Sequence, residues 1–339
     1  MTGAGNAVGQ GIIKSLKISQ LPVTLVSADI SPLNAGLFRT AEACLIPKVE
    51  DPGAVEQVLE LIKKVKAQVV MIGSEFDLDF FSKNKGLIEN CTGALVIVSP
   101  EQTVQIAGDK WLTAEFLREH GLPYAPSCVP ENVGDAIAKA REWGYPIILK
   151  PRAGTSSRHV HVADSEANLR SLFHVVPAPM IQKVIAPPSA GLANEYTCSI
   201  FKTNDGKILG PFTARRTLCS GHSKIVEVDH YPELHPLLCA IGNKLNIMGS
   251  LNVQLMVGAD GPVPFEFNAR FSGTTAVRAH FGFNEPEMAL RHFLLKQILA
   301  APEIRRGMAF RYDEEVFLEG ITSRQIKEPF PRGEVLSWF

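Results

Sequence analysis

Apolar positions in the first hundred residues form short runs that alternate with an amphipathic stretch. The runs PVTLVSAD, QVVMIGSE and GALVIVSP are rich in β-branched residues, as in buried parallel strands. The stretch AVEQVLELIKKVKA has helical spacing of its apolar positions, which are Val55, Val58, Leu59, Ile62 and Val65. This alternation predicts an open, doubly wound parallel α/β domain over residues 1–107.

The glycine-rich stretch TGAGNAVGQGIIKSL predicts a turn that runs into a helix. A strand is expected before this turn, but the sequence begins at Met1-Thr2 and leaves almost no room for it. We therefore expect either that the numbering begins inside this strand or that the chain is truncated.

The pattern changes after residue 108, where strands are expected in antiparallel hairpins. NEYTCSIFKTNDGKILGPFTARR predicts a hairpin that turns at residues 204–206, and SLNVQLMVGADGPVPFEFNARF predicts another that turns at residues 259–261. PEMALRHFLLKQIL predicts a last amphipathic helix, and residues 305–339 beyond it carry no recognisable chemistry. The second half is therefore predicted to be α+β with antiparallel sheets.

Composition and charge exclude several classes of protein. The chain has 339 residues, of which 20% are charged, and a formal net charge of -1, so nothing in the charge favours binding to nucleic acid or to an anionic membrane. No apolar run reaches the roughly 18 residues of a membrane helix. The six cysteines are far apart without a CxxC pair, as expected of reduced thiols. We expect a cytoplasmic protein.

Polar residues alternate with apolar ones in the stretch PFEFNARFSG. Glu266, Asn268 and Arg270 would share one face of a strand, and antiparallel pairing would bring Gln254 close to the first two. The oxygens of Gln254, Glu266 and Asn268 suit a hard cation such as Mg²⁺, and Arg270 suits a phosphate or a developing anion. A buried Glu–Arg pair with hydrogen-bonded amides explains the same pattern.

Two lysines and a small-residue loop could bind a phosphate chain. Lys110 opens a helix, and Lys150 ends the apolar strand YPIILK. The loop AGTSSR, with Gly154 and Ser156, offers backbone N–H groups and hydroxyls. Each of these features alone is also what an ordinary solvated lysine or surface loop would show.

Taken in order, GDK, YPIILKP, the small-residue loop, MIQKVI, NEYTCSI, NVQL and PFEFNARFSG resemble the ATP-grasp superfamily. The nearest likeness is to one synthetase unit of the carbamoyl-phosphate synthetase large subunit, and biotin carboxylase and D-alanine–D-alanine ligase are more distant. The resemblance covers about residues 1–300. It implies a pre-ATP-grasp domain over 1–107, an ATP-grasp domain over 108–304 with a small mobile lid at about 120–186, and a C-terminal extension over 305–339.

The resemblance also implies an activity and its cofactors. The family activates a substrate carboxylate as an acyl phosphate with ATP and Mg²⁺, for which Mn²⁺ is an acceptable substitute, and couples it to an amine or similar nucleophile, with release of ADP and phosphate. Catalysis is implied for Arg270 and Lys150, and Mg²⁺ ligation for Gln254, Glu266 and Asn268. The implied ATP contacts are Lys110, Lys150, Gly154 and Ser156 at the phosphates, Gln182, Lys183 and Ile185 at the adenine, and Glu195 at the ribose.

The sequence gives weaker indications for the residues that bind the substrate and for the oligomeric state than for the ATP site. Glu75 and Asp77 follow a predicted strand, and Arg215, Arg216 and Lys224 lie in a basic stretch suited to an anion. We expect small-molecule carboxylate and amine substrates, no nucleic-acid or membrane partner, and a homodimer by comparison with relatives.

Three other functions remain open from the sequence. Gly3, Gly5, Gly9 and Asp29 fit part of a dinucleotide-binding fingerprint, which would make the chain an NAD(P)-binding Rossmann oxidoreductase. A catalytically silent ATP-binding regulatory protein would have the same fold. An enzyme that forms a carbamate or carboxyphosphate from bicarbonate is the third.

Overall fold

Local sequence signals explain where several helices begin. Asn6, Asp109, Asn132 and Ser165 each precede a helix, and each side chain accepts a hydrogen bond from a backbone N–H of the first turn. The computed structural model describes residues 1–154, 158–185, 192, 194–319 and 321–326.

The helices and strands follow one another as an α/β region and then a region of antiparallel sheets. The helices are α1 (Ala7–Lys17), α2 (Ala54–Lys64), α3 (Leu78–Thr92), α4 (Glu101–Gly108), α5 (Lys110–Glu119), α6 (Val133–Trp143), α7 (Glu166–Phe173), α8 (His235–Lys244), α9 (Thr275–His280) and α10 (Glu285–Ala289). The strands are β1 (Val26–Asp29), β2 (Glu42–Leu45), β3 (Val69–Met71), β4 (Leu95–Ile97), β5 (Ser127–Cys128), β6 (Ile147–Pro151), β7 (His161–Ala163), β8 (Pro179–Lys183), β9 (Glu195–Lys202), β10 (Ile208–Phe212), β11 (Ala214–Cys219), β12 (His222–Val228), β13 (Gly249–Gly258), β14 (Gly261–Asn268) and β15 (Gly307–Phe310).

The first hundred residues form the predicted parallel α/β arrangement. Strand β1 pairs with β2 and β3 pairs with β4, both in parallel. The backbone of the first residues joins the two pairs, because the Thr2 N–H donates to the Met71 carbonyl while the Met1 carbonyl accepts from the Ala28 N–H. The expected extended segment before the glycine turn therefore lies between β1 and β3.

Both predicted hairpins are present and belong to one large antiparallel sheet. Its order is β14-β13-β9-β11-β12-β15, and β10 pairs with β9. Gln254 is opposite Glu266 and Asn252 is opposite Asn268, so the predicted neighbourhood of the polar residues is confirmed. The core beneath this sheet is apolar and includes Phe267, which is 1% exposed.

A smaller antiparallel sheet has the order β5-β8-β6-β7. Helices α6 and α7 pack on it through a separate apolar core around Ile147 and Leu149. This sheet carries Lys150 near the end of β6, opposite Met180, and Gln182 on β8, opposite Ile148, so that the two side chains lie diagonally across the ladder and form a hydrogen bond. Two antiparallel sheets thus follow the parallel region, which confirms the predicted fold class.

The end of the described chain differs from its prediction in two ways. The expected last helix is α-helical only in α10, and residues Leu290–Leu294 form a π-helical turn closed by the bond from the Leu295 N–H to the Leu290 carbonyl. This turn buries Phe293 against Phe201. Strand β15 then joins the large sheet beside β12. No helix in the described ranges is long and apolar enough to cross a membrane.

Candidate active site

A polar cleft of about 200 Å³ opens over the shared polar face of β13 and β14. One wall is the turn Gly73–Phe76 after β3, and another is the start of α1. The floor is formed by side chains that alternate along the strands of the large sheet. They are Thr197, Arg216, Asn252, Gln254, Glu266, Asn268 and Arg270.

Glu266 is the centre of the polar face. Its Oε1 accepts hydrogen bonds from Gln254 Nε2 and Asn268 Nδ2, each at 3.2 Å. Its Oε2 lies 3.8 Å from Lys110 Nζ. The three groups predicted as metal ligands therefore meet at one carboxylate, beside one of the two predicted phosphate-binding lysines.

Lys150 is buried beside the same carboxylate. Its ammonium donates to Gln182 Oε1 at 2.8 Å and lies 5.9 Å from the centre of the Phe265 ring. Burial and, to a smaller extent, the charge of Lys110 lower the pKa of Lys150 to about 7, while Glu266 acts in the opposite direction. Near neutral pH, the charged and the neutral form of this lysine are therefore both populated.

Arg216 connects Glu195 to the polar face. Its guanidinium donates to Glu195 Oε1 at 2.5 and 2.9 Å and to Gln254 Oε1 at 2.7 Å. Arg215, the preceding residue on β11, points the other way and pairs with Glu227 at 2.7 Å. Only one of the two adjacent arginines therefore contributes to the cleft.

Arg270 joins the sheet to the parallel region of the chain. Its guanidinium donates to Asn268 Oδ1 at 2.8 Å and forms an ion pair with Glu75. Asp77 does not line the cleft and instead accepts a hydrogen bond from the Thr2 hydroxyl at 2.8 Å. Burial raises the pKa of Asp77, and the Thr2 bond opposes this shift. Of the two acids predicted at this strand end, Glu75 is the one in the cleft.

Two protein-family models match consecutive parts of the chain. The model of the carbamoyl-phosphate synthase L chain, ATP binding domain, matches residues 109–178, and the model of ATP-grasp in the biosynthetic pathway with Ter operon matches residues 192–316. These two segments contain Lys110 and Lys150 in the first, and Glu195, Gln254 and Glu266 in the second. The chain belongs to the ATP-grasp superfamily.

Individual ATP-grasp proteins are similar at low sequence identity. The large chain of carbamoyl phosphate synthase from Xanthomonas campestris is 24% identical over 242 residues, which cover 66% of this chain and 22% of that protein. The matched part is thus about a fifth of the length of this relative.

Two solved structures show the same fold. The biotin carboxylase domain of Hydrogenobacter thermophilus 2-oxoglutarate carboxylase, solved with MgADP, ADP and bicarbonate, has a TM-score of 0.72 and 16% identity over 91% of this chain and 72% of that one. The N5-carboxyaminoimidazole synthetase from Staphylococcus aureus, solved with ADP, has a TM-score of 0.69 and 16% identity over 89% of this chain and 78% of that one.

The residues expected at the adenine lie on or just after β8. Gln182 is buried, and its side chain is held between Lys150 and Ser127, to whose hydroxyl its Nε2 donates at 2.8 Å. Lys183 is exposed, whereas Ile185 is half-buried and lies close to Gly258, where an added Cβ would be 2.6 Å from the Ile185 carbonyl oxygen. Their contacts with adenine stay predictions.

The small-residue loop of this ATP-grasp protein is described only in part. The Gly154 carbonyl accepts a hydrogen bond from Lys110 Nζ at 2.9 Å, which ties the loop to the start of α5. Ser156 lies outside the described residues. Lys224, predicted on the substrate side, has an exposed position on β12, and its role stays a prediction.

Several cleft residues were not predicted from the sequence. His222 and Ser223 enter the cleft at the start of β12, and Arg311 enters it from the segment after β15. Asn252 also lines the cleft, and its Oδ1 accepts a hydrogen bond from the fully buried Arg278, a connection that was not predicted either. Alternation along β12 could have indicated Ser223, whereas nothing in the sequence indicated Arg311.

The glycine-rich turn before α1 is occupied by contacts within the protein. Asp29 Oδ2 accepts from the Gly5 N–H at 2.7 Å, and its Oδ1 accepts from the Asn34 side chain. An added Cβ at Gly5 would lie 2.4 Å from the Asn34 side chain. Asp29 is buried, and both of its oxygens already serve contacts that shape the turn.

A larger, mostly apolar cavity of about 700 Å³ lies between β1, β3 and α2. None of the predicted site residues lines it. The polar cleft, which gathers convergent charged groups, is therefore the candidate active site.

Proposed function

We propose that this ATP-grasp protein is an ATP- and Mg²⁺-dependent ligase that forms a carbon–nitrogen bond. The observation that carries the proposal is the convergence of Lys110, Lys150, Gln254 and Asn268 on Glu266. Phosphoryl transfer requires positioning and neutralisation of charge more than covalent chemistry by the protein. Two ammonium groups and a metal-ligating carboxylate at one place are suited to this requirement.

The donor set around Glu266 fits Mg²⁺. In the described ranges, no group of three or more His, Cys, Asp or Glu side chains could hold a metal, so a site here depends on the two amides. The amide oxygens of Gln254 and Asn268 now accept hydrogen bonds from Arg216 and Arg270. Rotation of each amide would direct its oxygen to a metal at Glu266, and the two arginines would then need other acceptors, such as phosphate oxygens. A ligand set of one carboxylate, two amide oxygens and phosphate oxygens suits Mg²⁺, and the same set also suits Mn²⁺ as a substitute for Mg²⁺.

Gln254, Glu266 and Asn268 would hold the metal in this proposal, and a metal held there would supply positive charge to the phosphate oxygens. Lys110, Lys150 and the backbone near Gly154 and Ser156 hold the phosphates. Gln182, Lys183 and Ile185 lie at the adenine.

Glu195 is assigned to the ribose. Both hydrogen bonds from Arg216 go to its Oε1, which leaves Oε2 to accept a ribose hydroxyl. The ribose would thus bind next to Arg216 on the polar face.

The reaction follows in two balanced steps. A carboxylate oxygen of the substrate attacks the γ-phosphorus of ATP, the bond to the β-phosphate oxygen breaks, and ADP leaves. An amine or similar nucleophile then attacks the acyl carbon, inorganic phosphate leaves with the electron pair of the broken C–O bond, and the proton lost by the nucleophile passes to this phosphate or to water. Arg270, held by Glu75 and Asn268, stabilises the transferring phosphoryl group.

The substrates are small molecules, and the whole activity of the longer relatives is not assigned to this chain. The same proposal divides the chain into three parts, at residues 1–107, 108–304 and 305–339, with the lid at about 120–186. It also includes a cytoplasmic location and a homodimer. Three further substrate residues stay predictions that rest only on their position in the sequence, namely Asp77, Arg215 and Lys224.

The test is a screen for ADP release from MgATP across pairs of carboxylates and amines. We expect release that requires a carboxylate, and a product that contains the new C–N bond by mass spectrometry. Binding of NAD(P) without binding of ATP would overturn the proposal. ATP binding without ADP release from any pair would favour a silent regulatory protein on the same fold.

A further inference from the structure

Three arginines line the polar cleft, and two of them have anionic partners. Arg216 pairs with Glu195 at 2.5 Å, and Arg270 pairs with Glu75. Glu266, the remaining acid of the cleft floor, lies beside Lys110. These carboxylates are therefore each matched by a cation before any substrate enters.

Arg311 is the third arginine and has no such partner. Within the described ranges no carboxylate lies within ion-pair distance of it; its guanidinium donates to the neutral carbonyl of Gly273. The backbone fixes its position, because the Arg311 N–H donates to the Lys224 carbonyl at 2.8 Å as a continuation of the β15–β12 ladder. Burial lowers the pKa of this guanidinium.

A half-buried guanidinium without an anion is unfavourable, because it has lost water and gained no opposite charge. Such a group is retained where it binds something. A guanidinium presents a planar set of N–H donors that matches the two oxygens of a carboxylate.

The surroundings of Arg311 also favour an anion. The first residues of α1 line the same cleft, and the first turn of this 11-residue helix contains no acidic residue. Its N-terminal end therefore adds partial positive charge to the cleft. Both features favour negative charge near Arg311, and the described residues place no carboxylate within ion-pair distance of its guanidinium.

We propose that Arg311 binds the carboxylate substrate and determines the preference of the enzyme for an anion. The proposal rests on the ligase function proposed above and deepens it, because it assigns substrate recognition to the segment after β15. Arg270 then acts on the transferring phosphoryl group, while Arg311 holds the anionic substrate beside it. Arg311 is a specificity-determining residue that contacts substrate.

The first experiment is kinetic and uses the carboxylate that gives the greatest ADP release in the screen. Arg311→Gln should raise the KM for this carboxylate about 10- to 100-fold, with the KM for ATP changed less than about twofold. Arg311→Lys should restore part of the affinity, because it keeps the charge and loses the planar fork. An equal rise of both KM values, or no rise, would overturn the proposal.

Arg306→Gln is the matched control. Arg306 lies on the same segment and pairs with Asp229 at 2.8 Å, at an exposed position outside the cleft. The Arg306→Gln substitution removes the same charge from the chain as Arg311→Gln. If both variants raise the KM for the carboxylate equally, the effect is a general electrostatic one, and the proposal is overturned.

A second experiment does not depend on turnover. With MgADP present, thermal unfolding is followed while succinate is added against sodium chloride of equal ionic strength. We expect succinate to stabilise the wild-type chain and the Arg306→Gln variant but not Arg311→Gln. Equal shifts in all three, or no shift in the wild type, would overturn the assignment of Arg311 even if the screen finds activity. A selective shift without activity in the screen would leave Arg311 as an anion site and reject the ligase function.

Discussion

Lys110 Nζ lies 3.8 Å from Glu266 Oε2, so the first residue of α5 meets the end of β14 across 156 positions of the chain. Lys110 also reaches the Gly154 carbonyl at 2.9 Å. One lysine therefore contacts both the carboxylate proposed to ligate the metal and the small-residue loop proposed to hold phosphates. In the proposed function, a phosphate bound here would take the place of Glu266 as the nearest anion to Lys110 and would leave Glu266 for the metal.

Glu266→Gln is expected to lower kcat/KM for ATP by at least about 100-fold, because the site loses its one carboxylate ligand and keeps only neutral oxygens. The measurement is ADP release as a function of Mg²⁺ concentration, and higher Mg²⁺ should recover part of the rate. Glu227→Gln is the control, since Glu227 pairs with Arg215 away from the cleft. Full turnover in Glu266→Gln would contradict the metal assignment.

The adjacent residues Arg215 and Arg216 offer a matched pair of substitutions. Arg216→Lys should lower kcat/KM for ATP about tenfold, because lysine cannot bridge Glu195 and Gln254 as the guanidinium does. Arg215→Lys should change it less than about twofold, since this side chain lies on the other face of the sheet. Similar losses in the two variants would show that strand stability, rather than the cleft contact, is responsible.

Alternation along strands made much of this site predictable. The period of two fixes which side chains share a face, so Glu266, Asn268 and Gln254 could be placed together before their register was known. The same rule implies that Arg215 and Arg216 face opposite ways, although both were predicted on the substrate side. Alternation along the strand thus indicated that only one of the two arginines faces the cleft, and the structure shows that it is Arg216.

Contacts between distant segments were not predictable in the same way. Arg270 meets Glu75 across 195 positions, and no local pattern fixes such a pairing. Arg311 reaches the cleft because β15 pairs with β12, and a four-residue edge strand carries too short a pattern to indicate its partner. Tertiary pairing, rather than local propensity, brings these groups to the site.

The depressed pKa of Lys150 predicts uptake of protons when nucleotide binds. With a pKa of about 7, this lysine is largely neutral at pH 8 in the free protein, and the negative charge of bound phosphates would raise its pKa and protonate it. At pH 7, MgATP binding should take up about half a proton; the uptake should grow towards pH 8 and vanish towards pH 6, where the lysine is already charged.

Calorimetric titration of MgATP in two buffers with different ionisation enthalpies measures this uptake. Lys150→Met is the reference, because it keeps the bulk of the side chain and cannot take up a proton. The difference between wild type and variant removes the titration of ATP itself. Equal uptake by both proteins at pH 8 would show that Lys150 does not bind the phosphates in its charged form.

The last prediction concerns the buried ion pair beneath the cleft. Arg278 and Glu285 are fully buried, their nearest atoms lie 3.2 Å apart, and Ser199 also donates to Glu285. Arg278→Met should lower the free energy of unfolding by about 3–5 kcal/mol, because it leaves a buried carboxylate without its cation. Adding Glu285→Gln should recover at least half of this loss, since the amide oxygen still accepts the serine bond and the buried charge is gone. Urea unfolding of the single and double variants measures both effects.

Arg291→Met is the control for the size of that effect. Arg291 pairs with Glu287 at 2.7 Å one helical turn apart, but its side chain is 32% exposed, so solvent compensates for the lost partner. We expect a change in the free energy of unfolding of less than about 1 kcal/mol. If Arg278→Met is as mild as Arg291→Met, the buried pair does not hold the floor of the cleft in place. If Arg278→Met is severely destabilising, the double variant with Glu285→Gln decides the next question. When the double variant regains stability but not turnover, Arg278 also acts on the site through Asn252, to which its guanidinium donates.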